Sequence, residues 1–304
     1  MHMMEKPPAP ATPLAMRMIR GLGRDLRDVV EGLHDTFGWL HRRPAHLWLR
    51  LLCLILMVAL WSWLGRVLPR GFFATPGETL SALHDMLHDQ RREYPSAILE
   101  TLRVYLGGMA LATIIGIPAG VLLGVVPLLG RALNPFVNAL AATPLIALIP
   151  MIILFLGLGT QAKIVIVALG VVMPVIVNSY LGVRQTDPDL IEMARAYRLG
   201  WLRCLFRVLL PSAFPAIMAG LRLGATTGLV TSVIADFYTA MTGLGALLQV
   251  YGNSFRMDQY FVVVLTLAGI GILTTAALGM AERLLTPPPL RRGLPSRSRD
   301  RTQP

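Results

Sequence analysis

Long apolar stretches alternate with charged segments along this chain. A helix needs about 20 mostly apolar residues to cross the hydrocarbon core of a bilayer. Six stretches meet that requirement, approximately over residues 47–68, 104–130, 132–162, 163–183, 211–235 and 259–281. Because a helix satisfies its own backbone hydrogen bonds in lipid, we predict an all-α integral membrane protein with about six transmembrane helices.

The third stretch differs from the others because proline interrupts it. Pro135, Pro144 and Pro150 lie within it, and a Gly-Leu-Gly sequence follows near its end at 157–159. Proline lacks a backbone N–H and clashes with the preceding helical turn, so we predict a kinked third helix. Broken helices also line the binding sites of ion-coupled transporters, so an ATP-independent transporter or channel is the main alternative function.

The location of the charges explains the basic composition. The 304 residues carry a net charge of +11 and are 54% hydrophobic, with a mean hydropathy of +0.60. Twenty of the 28 lysines and arginines fall in or beside the two terminal segments and in the loops after the second and fourth stretches. Six, Lys163 among them, fall in the outer segments, and Arg103 and Arg222 belong to neither group. Since positively charged segments stay in the cytoplasm, we expect both termini to be cytoplasmic.

The distribution of apolar and basic residues also divides the chain into segments and indicates which molecules contact them. We predict a basic cytoplasmic extension over 1–45, a transmembrane domain over 46–282 and a basic cytoplasmic tail over 283–304. Basic inner segments match anionic lipid headgroups, so membrane lipid is the expected partner and nucleic acid is not.

Two further groups of residues give little support for a metal site or a disulfide. His84 and His88 are four residues apart, a spacing that can bind zinc, but no second ligand cluster accompanies them. An exposed amphipathic helix accounts for them better, and we predict no metal site. Cys53 and Cys204 do not suggest a disulfide framework.

The loop between the fourth and fifth stretches has the pattern of a short helix. Asp187 can cap a helix that begins at Pro188, and Asp189 suits the positive end of the helix dipole. Two faces follow at helical spacing, one formed by Leu190, Ala194, Tyr197 and Trp201 and the other by Glu192, Arg195 and Arg198. This charge pattern alone fits a helix lying in the lipid interface equally well.

The spacing of this loop resembles a signature of the permeases of ABC importers. That signature reads Glu-Ala-Ala, three residues, Gly, nine residues, Ile, any residue, Leu-Pro. The matching positions here are Glu192, Met193, Ala194, Val208, Leu210 and Pro211. Arg198 occupies the position of the family's glycine, and Gly200 follows two residues later. Because glycine accepts a positive φ at little cost, we expect the turn at Gly200.

Further matches resemble the branch that imports nitrate, sulfonates, taurine and bicarbonate. They lie at 143–150, at 155–159 with Lys163, at 192–195, at 220–224 and at 243–245. The resemblance covers roughly residues 72–282. It implies a type I importer-like fold with a cytoplasmic coupling-helix pair between the fourth and fifth transmembrane helices. It also implies a small transported solute, for which anions of this kind or aromatic acids are candidates.

The resemblance also implies how the chain is driven. In this family, two permease chains pair, each coupling helix sits in a cleft on an ATPase subunit, and a periplasmic or lipid-anchored binding protein delivers the solute. The residues expected to couple to the ATPase are Leu190, Glu192, Ala194, Arg195, Tyr197, Arg198 and Gly200. Leu190, Ala194 and Tyr197 would form the ridge that enters the cleft, with Glu192 and Arg195 orienting it.

No residue pattern for ATP hydrolysis occurs in the chain. A phosphate-binding Walker loop needs Gly-Lys followed by Ser or Thr, but Lys6 follows Glu5 and Lys163 follows Ala162. We therefore predict a transporter subunit of the bacterial inner membrane that has no catalytic residues and no cofactor of its own. ATP and Mg²⁺ would be bound by the partner ATPase.

Charges within the apolar stretches are candidate residues of the solute path or its gate. Such charges are costly in lipid and usually face protein or water, which singles out Arg103, Arg222 and Asp236. Pro144 and Pro150 join them because they break the third stretch. For Arg222, both pairing within the assembly and lining the path remain open. For Asp236, at the end of the fifth stretch, we expect a role near the outer gate.

Overall fold

The computed structural model describes residues 48–69, 71–88, 92–239 and 242–285. Within these ranges every regular element is helical, which confirms the predicted all-α class. The helices are α1 (Trp48–Val67), α2 (Pro76–His88), α3 (Glu93–Val125), α4 (Pro127–Ala142), α5 (Leu145–Leu156), α6 (Thr160–Arg184), α7 (Pro188–Ala196), α8 (Trp201–Cys204), a π-helical turn (Leu205–Leu209), α9 (Leu210–Thr239), α10 (Leu244–Asn253) and α11 (Met257–Leu285).

Five helical segments of the described residues are long and apolar enough to cross a membrane. They are α1, α3, α6, the continuous segment Trp201–Thr239 and α11. Helices α4 and α5 pass the same test together and are bent by 89° at the break between them. Counting this pair as one span gives six, in agreement with the prediction, although the third span is broken rather than kinked.

The chain divides into two compact units, 1–67 and 68–304. The first unit contains α1, an apolar helix with Arg50 and Arg66 near its ends, where long side chains can reach the headgroups. The second unit contains all the other helices. The predicted extension 1–45 lies outside the described residues, as does the predicted tail beyond residue 285.

The core of the second unit is formed by α3, α6 and α9. Tyr105, Val171 and Val175 are fully buried among these helices. Glycine allows the backbones to approach closely. A Cβ on Gly120 would lie 2.5 Å from the carbonyl oxygen of Ile176, and one on Gly220 would lie 2.7 Å from Cβ of Asn178. Such small-residue contacts are how helices pack tightly in membranes.

The helices extend beyond the predicted apolar stretches. Helix α3 begins at Glu93 and runs through Arg103, and the fifth span already begins at Trp201. The prediction placed the ends at charged residues or at proline. A helical backbone does not require an apolar side chain at each position, so these helices continue past the apolar part that identified them.

Helices α2 and α10 of the second unit are, like α7, too short to be transmembrane spans. Helix α2 agrees with the helix expected around His84 and His88, whose exposed rings stack at 4.3 Å. No group of three or more potential metal ligands occurs in the described part of the chain. Helix α10 was not predicted, and it buries Leu244, Gly245 and Leu248.

Candidate functional site

The helix pair predicted between the fourth and fifth spans is present as α7 and α8. At the start of α7, the carboxylate of Asp187 accepts a hydrogen bond of 3.0 Å from the backbone N–H of Asp189, and Pro188 is the first helical residue. Both features were predicted. The Asp187 carboxylate accepts from an amide that has no helical partner, and Pro188 occupies a position where a backbone N–H would have had none.

The turn between α7 and α8 lies at Arg198, so the prediction of a turn at Gly200 was wrong. Arg198 has φ of 50°, whereas Gly200 is extended with φ of −61°. The N–H of Leu199 donates to the carbonyl of Ala194, and the N–H of Arg198 donates to that of Arg195. These two bonds form a Schellman motif, which places a left-handed residue directly after the helix. The motif requires a left-handed conformation at the position where the helix ends, whatever residue stands there. Here that residue is Arg198.

The exposed side of α7 differs from the predicted ridge. Ala194 is 1% exposed, so it faces the chain itself, and Leu190 beside it is half-buried. Glu192, Arg195 and Tyr197 are exposed, as are Arg198 and Gly200. An open depression of about 820 Å³ is lined by Pro188, Ile191, Glu192, Arg195 and Ala196. The surface available to a partner therefore centres on Glu192 and Arg195.

Helix α8 continues into α9 without a break. The π-helical turn joins them, and in it the N–H of Leu210 donates to the carbonyl of Leu205. Pro211 follows and has no N–H to donate, so the wider turn lies where the α-helical pattern would be interrupted. At 1.5 Å per residue, the 39-residue segment Trp201–Thr239 is about 58 Å long, which exceeds the thickness of a bilayer.

The far end of this segment contains a buried ion pair between α6 and α9. Nζ of Lys163 lies 2.8 Å from Oδ1 of Asp236, and the two side chains are 1% and 2% exposed. Lys163 also donates to the backbone carbonyl of Thr242 at 2.7 Å and to its hydroxyl at 3.1 Å. All three donors of the ammonium group therefore have an acceptor.

The same carboxylate holds the start of α10. Oδ2 of Asp236 accepts a hydrogen bond of 3.1 Å from the N–H of Gly245, and the hydroxyl of Thr101 accepts one of 2.8 Å from the N–H of Leu244. Gly243, just before α10, has φ of 101° and ψ of 171°, a conformation confined almost entirely to glycine. A Cβ at Gly243 would overlap the Asp236 carboxylate.

The remaining candidate residues occupy separate places. Arg222 forms a 2.9 Å ion pair with Glu282 of α11, which favours the pairing role over the solute path. Arg103 is exposed on α3. Pro144 lies in the break between α4 and α5, and Pro150 lies inside α5. The candidates are thus not gathered into one cluster within the described chain.

Lys163 is the functional candidate that the sequence reasoning missed. It was counted among the charges of the outer segments, but its side chain is buried against Asp236. The available signal was that one lysine and one aspartate lie in otherwise apolar surroundings, where opposite charges commonly pair. Thr101 and Thr242 gave no signal, because their roles depend on contacts that only the fold creates.

Comparisons with known proteins agree with this architecture. Residues 112–287 match the family described as "Binding-protein-dependent transport system inner membrane component". The putative aliphatic sulfonates transport permease protein SsuC of Escherichia coli K12 is 34% identical over 51% of this chain and 59% of its own length. The taurine transport system permease protein TauC of the same organism is 30% identical over 58% of this chain and 64% of its own length.

The matched part spans less than two thirds of both relatives. Their names nevertheless agree with the branch that the motifs resemble. A chain from the inward-facing MetNI methionine ABC transporter has a TM-score of 0.57 and 24% identity, covering 63% of this chain and 95% of that chain. This likeness concerns the fold, and it supports the expected fold class.

Proposed function

Because this chain belongs to the family of binding-protein-dependent transport system inner membrane components, we propose that it is the permease subunit of an ATP-driven importer. It is a multi-pass inner membrane protein. The observation that carries the proposal is the exposed, charged surface of α7, joined through α8 to one helix long enough to cross the bilayer.

The geometry supports a mechanical route for ATP-driven alternating access. A partner ATPase that binds around Glu192 and Arg195 would displace α7, and the continuous segment Trp201–Thr239 would carry that displacement across the membrane. Hydrolysis, ATP and Mg²⁺ belong to the partner in this mechanism. A second copy of the chain, two ATPase subunits and an external solute-binding protein complete the proposed assembly, with both termini of the chain cytoplasmic.

We assign a small anion to the transported solute. Relatives named for sulfonates and taurine support this class, and nitrate, bicarbonate or aromatic acids share its negative charge. Arg103 is the better candidate for attracting an anion, because it is exposed while Arg222 is engaged by Glu282.

Reconstitution tests the proposal directly. The full chain is co-expressed with a candidate partner ABC ATPase and purified in lipid nanodiscs. Glu192→Arg reverses a charge at the centre of the exposed α7 surface, so we expect co-purification of the ATPase to fall at least about tenfold. Asp85→Arg is the matched control, because it also reverses an exposed charge, but on α2 and outside α7 and α8.

Two results would contradict the proposal. One is ATPase binding by Glu192→Arg equal to that of the wild type. The other is ATP-independent uptake of taurine, ethanesulfonate or bicarbonate by the chain alone in liposomes, which would support the ion-coupled transporter or channel suggested by the broken α4–α5 span.

A further inference from the structure

Lys163 and Asp236 form a buried ion pair that the coupling mechanism above does not use. Among the ion pairs of the described residues, it is the one in which both side chains are almost completely buried. A buried ion pair contributes little stability compared with well-packed apolar residues, because desolvation of the charges offsets their attraction. Stability alone therefore explains this pair poorly.

The hydrogen bonds of the pair have a common target. Lys163 binds the carbonyl and hydroxyl of Thr242, and Asp236 binds the N–H of Gly245. Thr242 and Gly245 lie on either side of Gly243, where the chain leaves α9 and starts α10. Thr101 adds a third attachment through the N–H of Leu244. The pair thus fastens the beginning of α10 to α6 and α9.

The position of the pair along α9 also bears on its role in transport. Asp236 is one turn from the end of a helical segment whose other end, Trp201, follows the α7 turn. A displacement at Trp201 is carried along this segment to its far end, where the bonds of Asp236 and Lys163 hold residues 242 and 245 against α6 and α9.

We propose that Asp236 and Lys163 are positioning residues for transport, which lock α10 to the far end of the Trp201–Thr239 helix so that movement of α7 reaches α10 across the membrane. This inference rests on the proposed function, because it requires an ATPase that displaces α7. It predicts that α10 responds to the nucleotide state of the partner.

A double substitution separates this role from a purely structural one. Lys163→Met with Asp236→Leu replaces both charges with apolar side chains of similar volume, a change that folded proteins commonly tolerate. The variant removes the acceptor of the Gly245 N–H and the donor to Thr242. We therefore expect a folded, assembled complex in which α10 is no longer locked to α9.

Hydrogen exchange of the complete complex measures the lock. Exchange over residues 242–253 is compared in nucleotide-free complexes and in complexes trapped with ATP and vanadate. In the wild type, we expect trapping to change this exchange at least about fivefold. In the double variant, we expect resting exchange to be at least about tenfold faster and its response to trapping to disappear, while α7 still responds.

Two further variants test whether the change in exchange over 242–253 depends on the bonds that hold α10. Thr101→Val removes only the acceptor of the Leu244 N–H, so the resting exchange over 242–253 should rise about threefold and the response should persist. Tyr105→Phe is the matched control. It removes a buried hydrogen bond to the carbonyl of Ala225 without touching α10, and both the exchange and the response should equal those of the wild type.

The outcomes distinguish the two proposals. An α10 that responds to trapping in the double variant as in the wild type would overturn the positioning role while leaving the permease function intact. A wild-type complex that lacks an ATPase would overturn the proposed function and this inference together. A wild-type complex that traps nucleotide with no change in α10 would overturn the inference alone.

Discussion

The two ends of the Trp201–Thr239 helix are held in contrasting ways. At the Trp201 end, the turn from α7 is made by hydrogen bonds between residues three to five positions apart, and Tyr197 and Trp201 are 76% and 61% exposed. At the Asp236 end, two of the hydrogen bonds join residues 73 and 143 positions apart, and the side chains are buried.

The two ends of the helix are therefore suited to different tasks. An exposed end that forms locally can present side chains to another protein without disturbing the core. A buried end held by distant parts of the chain is fixed relative to them, so it can pass on a displacement. Substitutions at the buried end should therefore disturb contacts between distant parts of the chain, and those at the exposed end should act locally, on α7 and its binding surface.

The largest effect is expected at Gly243. Gly243→Ala places a Cβ on a residue in a glycine-only conformation and against the Asp236 carboxylate. Backbone strain and disruption of the buried pair should together lower the free energy of unfolding by about 3 kcal/mol. Denaturation of the purified chain in detergent, followed by circular dichroism, measures the change.

A glycine on α11 provides the control for that substitution. At Gly279 no neighbouring atom lies within 4 Å of the position that a Cβ would occupy, and φ is not positive, so Gly279→Ala should leave the stability equal or slightly higher. If both alanine variants unfolded at the same denaturant concentration, the Asp236 end would not be the constrained end of the helix.

A smaller and local effect is expected at Asp187. Asp187→Ala removes the acceptor of the Asp189 N–H at the start of α7, which should destabilise that helix by about 1 kcal/mol. Hydrogen exchange in the first turn of α7 should then be about fivefold faster, with exchange over 242–253 unchanged. Asp187→Asn keeps a capping oxygen and should restore most of the protection.

Accelerated exchange over 242–253 in Asp187→Ala would contradict the separation of the two ends in the resting protein. It would mean that loosening α7 also loosens α10 without any nucleotide.

The same contrast explains how much of each end of the Trp201–Thr239 helix the sequence could predict. Asp187 and Pro188 form their cap within three residues, so their spacing was sufficient to predict it. The ion pair of Lys163 and Asp236 depends on how α6 packs against α9, and apolar periodicity does not determine which residues of two spans lie opposite each other. Sequence therefore predicted Asp236 as a candidate without its partner.

The turn at Arg198 shows a different limit. Preference for positive φ favours Gly200, and that preference is worth about 1 kcal/mol. The structure instead places the turn where the Schellman hydrogen bonds from Arg198 and Leu199 can form. The end of α7 thus decides the position of the turn, and a weak residue preference does not overcome it.

An effect similar in size to that at Asp187, but opposite in sign, is expected at Arg198. Arg198→Gly removes the Cβ that makes a φ of 50° unfavourable, so the end of α7 should become more stable by about 1 kcal/mol. Exchange of the Leu199 amide, which donates to Ala194, should slow about fivefold. The effect is an increase in stability, in contrast to the losses expected at Asp187 and Gly243.

Arg198→Ala separates the backbone from the charge. Alanine also lacks the guanidinium group but keeps a Cβ, so its left-handed conformation remains as unfavourable as that of arginine. The Leu199 amide should therefore exchange in Arg198→Ala as it does in the wild type. Equal slowing in the glycine and alanine variants would show instead that the positive charge, and not the backbone, destabilises the turn, for example through electrostatic repulsion from Arg195.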